Sequence, residues 1–233
     1  MFANLQRSQH RLLFPLRRLA VLGLAVAGLL SGCATNPLED RVWGPSYQPL
    51  NIYAEGHTLP AGLKRLAVLP LTTLGESTEL EFGRASLEPV LLAELGRANQ
   101  FELVPITPEQ LLHWTGHRSW TGEEKLPRDF FEKIRSAAGV DGVLLSRLTQ
   151  YRAYEPLTIG WRIKLLDAQN PHVIWAVDEL FDASQSDVAN AARRFAQSHP
   201  ETATVGDSRS ALMSPRRFAQ YTASAVFQTL PAR

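Results

Sequence analysis

The fold turns on Thr158-Ile159-Gly160-Trp161-Arg162-Ile163-Lys164-Leu165-Leu166, the link Asp167-Ala168-Gln169-Asn170-Pro171-His172, and Val173-Ile174-Trp175-Ala176-Val177-Asp178-Glu179-Leu180-Phe181. In the first segment Ile159, Trp161, Ile163 and Leu165 fall on one side, with Arg162 and Lys164 on the other. In the last, Val173, Trp175, Val177 and Phe181 point inward and Asp178 outward. A period of two marks a strand with one buried face. The residues between are turn formers, so the two segments predict an antiparallel hairpin. Arg162 and Lys164 facing Asp178 and Glu179 would pair across it, for about 0.2–1 kcal/mol each.

Upstream, Val140 to Leu148 is the most apolar strand candidate, entered from a helix over Arg128 to Ala138 that turns Phe130, Phe131, Ile134, Ala137 and Ala138 inward and stops at Gly139. Lys64 to Leu71 is a short apolar run closed by proline, the pattern of a strand covered on both faces. The stripe Leu80, Leu87, Leu91, Leu95 and Ala98 predicts a helix, which either starts at a cap near Ser86, with Pro89 in its first turn, or kinks at Pro89. Phe101 to Pro105 is another strand, and Thr107 or Pro108 opens a helix through Glu109, Leu111, Leu112 and Trp114. Strand, helix, strand is the parallel βαβ unit with a right-handed crossover. Downstream, Asp187 caps a helix to about Gln197, and Ser198 to Met213 is polar. Ser214 caps a last helix with Pro215 at its first position, where Phe218, Tyr221, Thr222, Ala225, Val226 and Leu230 form a stripe and Phe227 lies off it. The expected fold class is α/β: a mixed five-stranded sheet with strands near 64–71, 101–105, 140–149, 158–166 and 173–181, flanking helices and a C-terminal helix.

The N-terminal region has a different logic. Arg7, Arg11, Arg17 and Arg18, with no acid, precede twelve uncharged, mostly aliphatic residues from Leu19 to Leu30, and Leu30-Ser31-Gly32-Cys33 follows. A basic segment, a short apolar segment and small residues at a cut form a secretory signal peptide. The apolar segment is shorter than the roughly 20 residues a membrane-crossing helix needs. Cys33 is the only cysteine. Leu30-Ser31-Gly32-Cys33 resembles the lipobox of bacterial lipoproteins, in which the cysteine receives a diacylglycerol, the peptide is cut before it and the new amine is acylated. The resemblance implies a membrane partner through lipid on Cys33. With Ala34 and Thr35 following and no Asp at the second position, it also implies an outer-membrane location with the domain facing the periplasm. Two or more acyl chains give stable attachment, at about 0.8 kcal/mol per buried CH₂.

The expected organisation is therefore 1–32 lipoprotein signal peptide, 33–63 lipidated tether and 64–233 a single α/β periplasmic domain. The tether reading rests on Pro37, Pro45, Pro49, Pro60, Gly44, Gly56 and Gly62 among apolar residues without period. About 30 such residues span roughly 30 Å as a coil and up to about 100 Å stretched. Trp43, Tyr47 and Tyr53 within it dock on their own domain or on a partner. Without the four arginines of residues 1–32, 20 basic residues face 23 acids, a charge of about −3. A weakly acidic body lacks the concentrated basic face that nucleic acid requires. With Cys33 lipidated no thiol is left for disulfides or metal.

Catalytic motifs are hard to find. Ser146, Ser208, Ser210 and Ser214 lack a Gly-x-Ser-x-Gly context, and no glycine-rich phosphate loop occurs after residue 32. His113 and His117 are four apart, a spacing that on a helix could bind zinc. Trp114 stands where a zinc hydrolase needs glutamate, however, and Gly116 weakens the helix. The preferred reading is no metal: a helix end runs into a surface loop, Gly116 to Pro127, in which Trp120 is exposed and, with Trp114, forms the candidate partner contact. Asp178 and Asp182 share a strand face and are the candidate pair for a rival glycan-cleaving enzyme, which needs two carboxylates about 5–9.5 Å apart. The preferred reading has no catalytic residues and no cofactor.

The runs KRLAVLPL, FELVP, AGVDGVLLSRLTQY and IGWRIKLLDAQNPHVIWAVDELFDA, in that order, resemble the α/β periplasmic domain shared by the curli secretion lipoprotein CsgG, the N-terminal domain of TolB and the penicillin-binding-protein activator LpoB. The likeness covers roughly Lys64 to Leu230. It implies a non-enzymatic scaffold, adaptor or assembly subunit of an envelope machine, with an envelope protein partner or a homo-oligomer. No spare pair of segments of about ten alternating residues is present, so a curli-type pore is not expected.

Overall fold

The computed structural model describes residues 44–199 and 210–233. The segment read as a signal peptide, Cys33 and the first part of the expected tether lie outside the described residues. The strands are β1 (Ile52–Ala54), β2 (Arg65–Val68), β3 (Thr72–Thr73), β4 (Glu102–Pro105), β5 (Gly142–Arg152), β6 (Thr158–Asp167) and β7 (Val173–Asp182). The helices are α1 (Thr78–Arg97), α2 (Pro108–Thr115), α3 (Phe130–Ala138), α4 (Ser186–Ser198), α5 (Ser210–Met213) and α6 (Pro215–Phe227). Seven strands form one mixed sheet in the order β1-β7-β6-β5-β2-β4, with β3 also on β5. The β5-β6-β7 meander is antiparallel, whereas β2, β3 and β4 join by parallel pairing.

Two more strands are present than the sequence pattern predicts. β3 continues the path of β2 along β5 after an interruption at Leu69–Leu71. Pro70 has no N–H to give the ladder, and the Leu71 N–H instead donates to Glu88 Oε1 at 2.8 Å. β1 is a larger correction, because it lies inside the stretch read as a free tether. Its residues pair antiparallel with Val177, Ala176 and Trp175 of β7. The Tyr47 hydroxyl donates to Glu179 Oε1 at 2.5 Å, and its ring meets Phe181 edge-on at 5.4 Å. Leu59 and Leu63 are buried, and the Leu59 N–H donates to the Ala232 carbonyl at 2.8 Å. Arg194 donates to the Gly44 carbonyl. Residues 44–63 are thus bound to the domain along their length. Three residues cannot display a period, and what makes them a strand is the unpaired edge of β7.

α1 also departs from expectation. It begins at Thr78, where the Ser77 hydroxyl accepts from the Leu80 N–H at 3.3 Å, and Pro89 lies inside it. An interior proline costs about 3 kcal/mol. Burial of Leu87, Val90, Leu91 and Leu95 on one face offsets that cost. α2 starts as expected, with a reciprocal Thr107–Gln110 capping box and Pro108 at the first position. α3 ends at Gly139, whose φ of 63° suits glycine. α4 begins two residues earlier than its Asp187 cap predicts, with Gln185 as its flanking residue. α6 has the expected Ser214 cap and Pro215.

Each face of the sheet has its own core. Leu66, Leu144, Leu148, Ile159, Trp161, Ile163, Leu165, Trp175 and Phe181 belong to the larger one, with residues of α1, α4 and α6. Phe227, off the sequence stripe, is buried there with its ring 6.4 Å from that of Trp175. Trp161 is fully buried and gives its indole N–H to the Thr222 hydroxyl at 2.9 Å. On the opposite face Ala67, Leu69, Val143 and Leu145 pack with Leu111 of α2 and Phe130, Phe131 and Ile134 of α3.

Candidate functional site: the loop over the second sheet face

Alternation along β5, β6 and β7 places Arg147, Arg162, Lys164 and Asp178 on the second face. Arg147 and Arg162 are direct cross-strand partners, as are Arg162 and Asp178. Like charges opposite one another destabilise a sheet unless something neutralises them. Two carboxylates do so. Asp178 accepts from Arg162 at 2.8 Å, and Glu123 of the 116–127 loop bridges Arg147, at 2.5 Å, and Arg162. The Lys164 ammonium donates to the Gly122 carbonyl at 2.7 Å, so the same loop turn takes up a third cation. Of the expected pairing, Arg162–Asp178 is present. Lys164 goes to the loop, and Glu179 lies on the other face, accepting from Tyr47 and from the Leu50 N–H at 2.7 Å.

The tryptophans have a different role from the one their loop position suggests. Trp120 is only 5% exposed. Its ring packs edge-on against Phe130 at 5.5 Å, and its N–H donates to the Thr115 hydroxyl at 2.7 Å. Trp114 is half-buried against the same core. The expectation of an exposed Trp120 is therefore corrected: it pins the loop to α2 and α3, because an indole ring gains more by completing the second core than by facing water. What the loop shows to solvent is polar, including Glu124 and Lys125. His113 and His117 do not share a helical face. Gly116, at φ 85°, ends α2, and His117 lies beyond it with its ring 4.6 Å from that of Trp120. Among the described residues no group of three or more His, Cys, Asp or Glu could hold a metal ion.

The rival carboxylates are both engaged. Asp178 is paired with Arg162, and Asp182 accepts from the Ser184 N–H at 2.8 Å with Arg152 3.8 Å away. Glu123 is the residue that sequence reasoning missed. Its signal was indirect: two arginines at facing positions of the predicted strands require an acid from elsewhere in the chain.

Removing that acid tests the arrangement. Glu123→Ala leaves Arg147 and Arg162 opposed and costs about 1 kcal/mol, the upper range for a partly exposed ion pair. Hydrogen exchange in residues 116–127 should rise well above wild type while α1 and α6 stay protected. Unchanged exchange there would show that Trp120 alone holds the loop.

No protein-family model matches the sequence, and no curated protein matches it. Solved structures similar to the chain include the PelC dodecamer from Paraburkholderia phytofirmans, at 17% identity over 78% of this chain and 96% of that one, with a TM-score of 0.46. Lipoprotein GNA1162 from Neisseria meningitidis is similar at 16% identity over 61% of this chain and 99% of that one, TM-score 0.39. The LpoB C-terminal domain from Salmonella enterica is similar at 18% identity over 63% and 94%, TM-score 0.32.

Proposed function

We propose that this protein is a lipid-anchored envelope adaptor, held at the outer membrane by acylated Cys33 and acting by contact with an envelope protein or with further copies of itself. The observation that carries the reading is the order of basic segment, apolar segment and Leu30-Ser31-Gly32-Cys33. The folded part supports it in a narrower way, since the carboxylates best placed for chemistry, Asp178 and Asp182, are tied into ion pairs and turn bonds. No helix among the described residues is long and apolar enough to cross a membrane.

Because Trp120 is buried, its ring is not the contact surface, and other exposed groups come into view. The polar outer side of the 116–127 loop and the β1 edge, with exposed Leu50 and Tyr53, are the surfaces to probe. Photocrosslinking amino acids at Lys125 and Tyr53 in living cells, followed by mass spectrometry, are expected to capture one defined envelope protein or a self-oligomer. Absence of any captured protein, together with peptidoglycan cleavage that disappears in Asp178→Ala, would replace the adaptor with the glycan-active enzyme.

A further inference from the structure

Glu94 is the one charged side chain buried among the described residues, with 3% of its side chain exposed. It lies in α1 on the seam of Leu87, Val90 and Leu91, where a leucine would pack. A buried carboxylate that is not fully compensated is costly and calls for a partner. Its partner here is Arg97, one turn on, whose own side chain is half exposed. Burial still holds the Glu94 carboxyl above the usual range, opposed by the charge of Arg97 and, more weakly, by His199.

Glu94 lines a cleft of about 340 Å³ that the sheet-face loop does not touch, a volume at the small end of those that hold small molecules. Three helix ends meet there, each by its C-terminus: Arg97 of α1 with Ala98 after it, His199 after α4, and Gln228 after α6. Helix C-termini carry the negative end of the backbone dipole and favour cations. Phe227 and Leu230 supply an apolar wall, and Ser224 and Gln228 supply polar groups. Gln100, also lining the cleft, has a buried Oε1 without a hydrogen-bond partner, so its amide is not held from that side.

We propose that this cleft is a binding site for a small primary alkylammonium ligand, with the ammonium on Glu94 and the methylenes against Phe227 and Leu230. Arg97 is the internal stand-in for that cation. It reaches Glu94 from the cleft rim and swings toward solvent when an ammonium takes its place. The site lies apart from the Glu123 loop and is independent of the adaptor reading.

The test is calorimetric titration of the detergent-solubilised full chain with putrescine, with butane-1,4-diol and succinate as neutral and anionic counterparts. Putrescine is expected to bind saturably and the other two not at all. Glu94→Gln should weaken putrescine at least tenfold, and Arg97→Gln should tighten it several-fold by removing the competing cation. A merely structural role for the pair would not move the two variants in opposite directions. Ser224→Trp, which fills the cleft and leaves Glu94 in place, should abolish binding even if Glu94→Gln proves poorly folded. Silence with folded wild-type protein, preference for succinate, or undiminished binding in Ser224→Trp would each overturn the proposal.

Discussion

Cys33→Ser transfers the protein from the membrane fraction to the soluble periplasmic or unprocessed pool, the largest change expected of any single substitution. Membrane attachment by acyl chains is a sum of buried methylenes at about 0.8 kcal/mol each, so losing the thiol removes the whole of it at once rather than weakening it. No helix among the described residues is long and apolar enough to cross a membrane. Fractionation with intact-mass analysis of the extracted wild-type protein checks this. The wild type should carry the mass of a chain beginning at Cys33 plus diacylglycerol and one amide-linked acyl chain. An unmodified soluble wild-type product would remove the anchor and with it the proposed location.

Trp161→Ala has the largest effect on the fold itself. Truncating a fully buried tryptophan costs about 3–5 kcal/mol in lost transfer free energy and cavity. The Thr222 hydroxyl, also buried, loses its indole donor as well. Against a typical total stability of about 5–15 kcal/mol, that brings a domain of this size close to unfolding at 25 °C. Urea unfolding followed by circular dichroism should show the midpoint falling by half or more, while Trp161→Phe, which keeps most of the volume, falls by much less. A midpoint within error of wild type in Trp161→Ala would mean that Trp161 is not central to the core that joins β6 to α6.

The hairpin was legible because its two strands are long enough to show a period of two, and alternation identifies both the strand and its inward face. α2, α3 and α6 were legible through capping residues and terminal glycines, whose chemistry is local. The elements that were not legible depend on partners distant in sequence. β1 is a strand because β7 has a free edge, and α1 runs through Pro89 because four buried side chains outweigh a broken hydrogen bond. The same holds for the sites. Trp120 reads as exposed from its loop and is buried because Phe130, ten residues on, completes its environment. Glu123 and Glu94 gain their roles from Arg147 and Arg162 in the first case, and from three converging helix ends in the second. Glu94 did leave a trace, a lone acid at helical spacing on an apolar stripe.

The docking of residues 44–63 onto β7 also resets how far the domain could travel from the proposed anchor. If lipid holds Cys33 and Arg194 holds Gly44, ten residues, or eleven Cα-to-Cα steps, separate the two points, and these span at most about 40 Å whatever path they take. A free stretch of thirty residues would reach about 100 Å. The hemisphere the domain could sweep would then shrink about fifteen-fold in volume, and the encounter rate with anything fixed in the same membrane would rise accordingly. On the proposed anchoring, partners deep in the periplasm would fall out of range. Those within a protein's width of the bilayer are the ones that so short a separation from the proposed anchor would select.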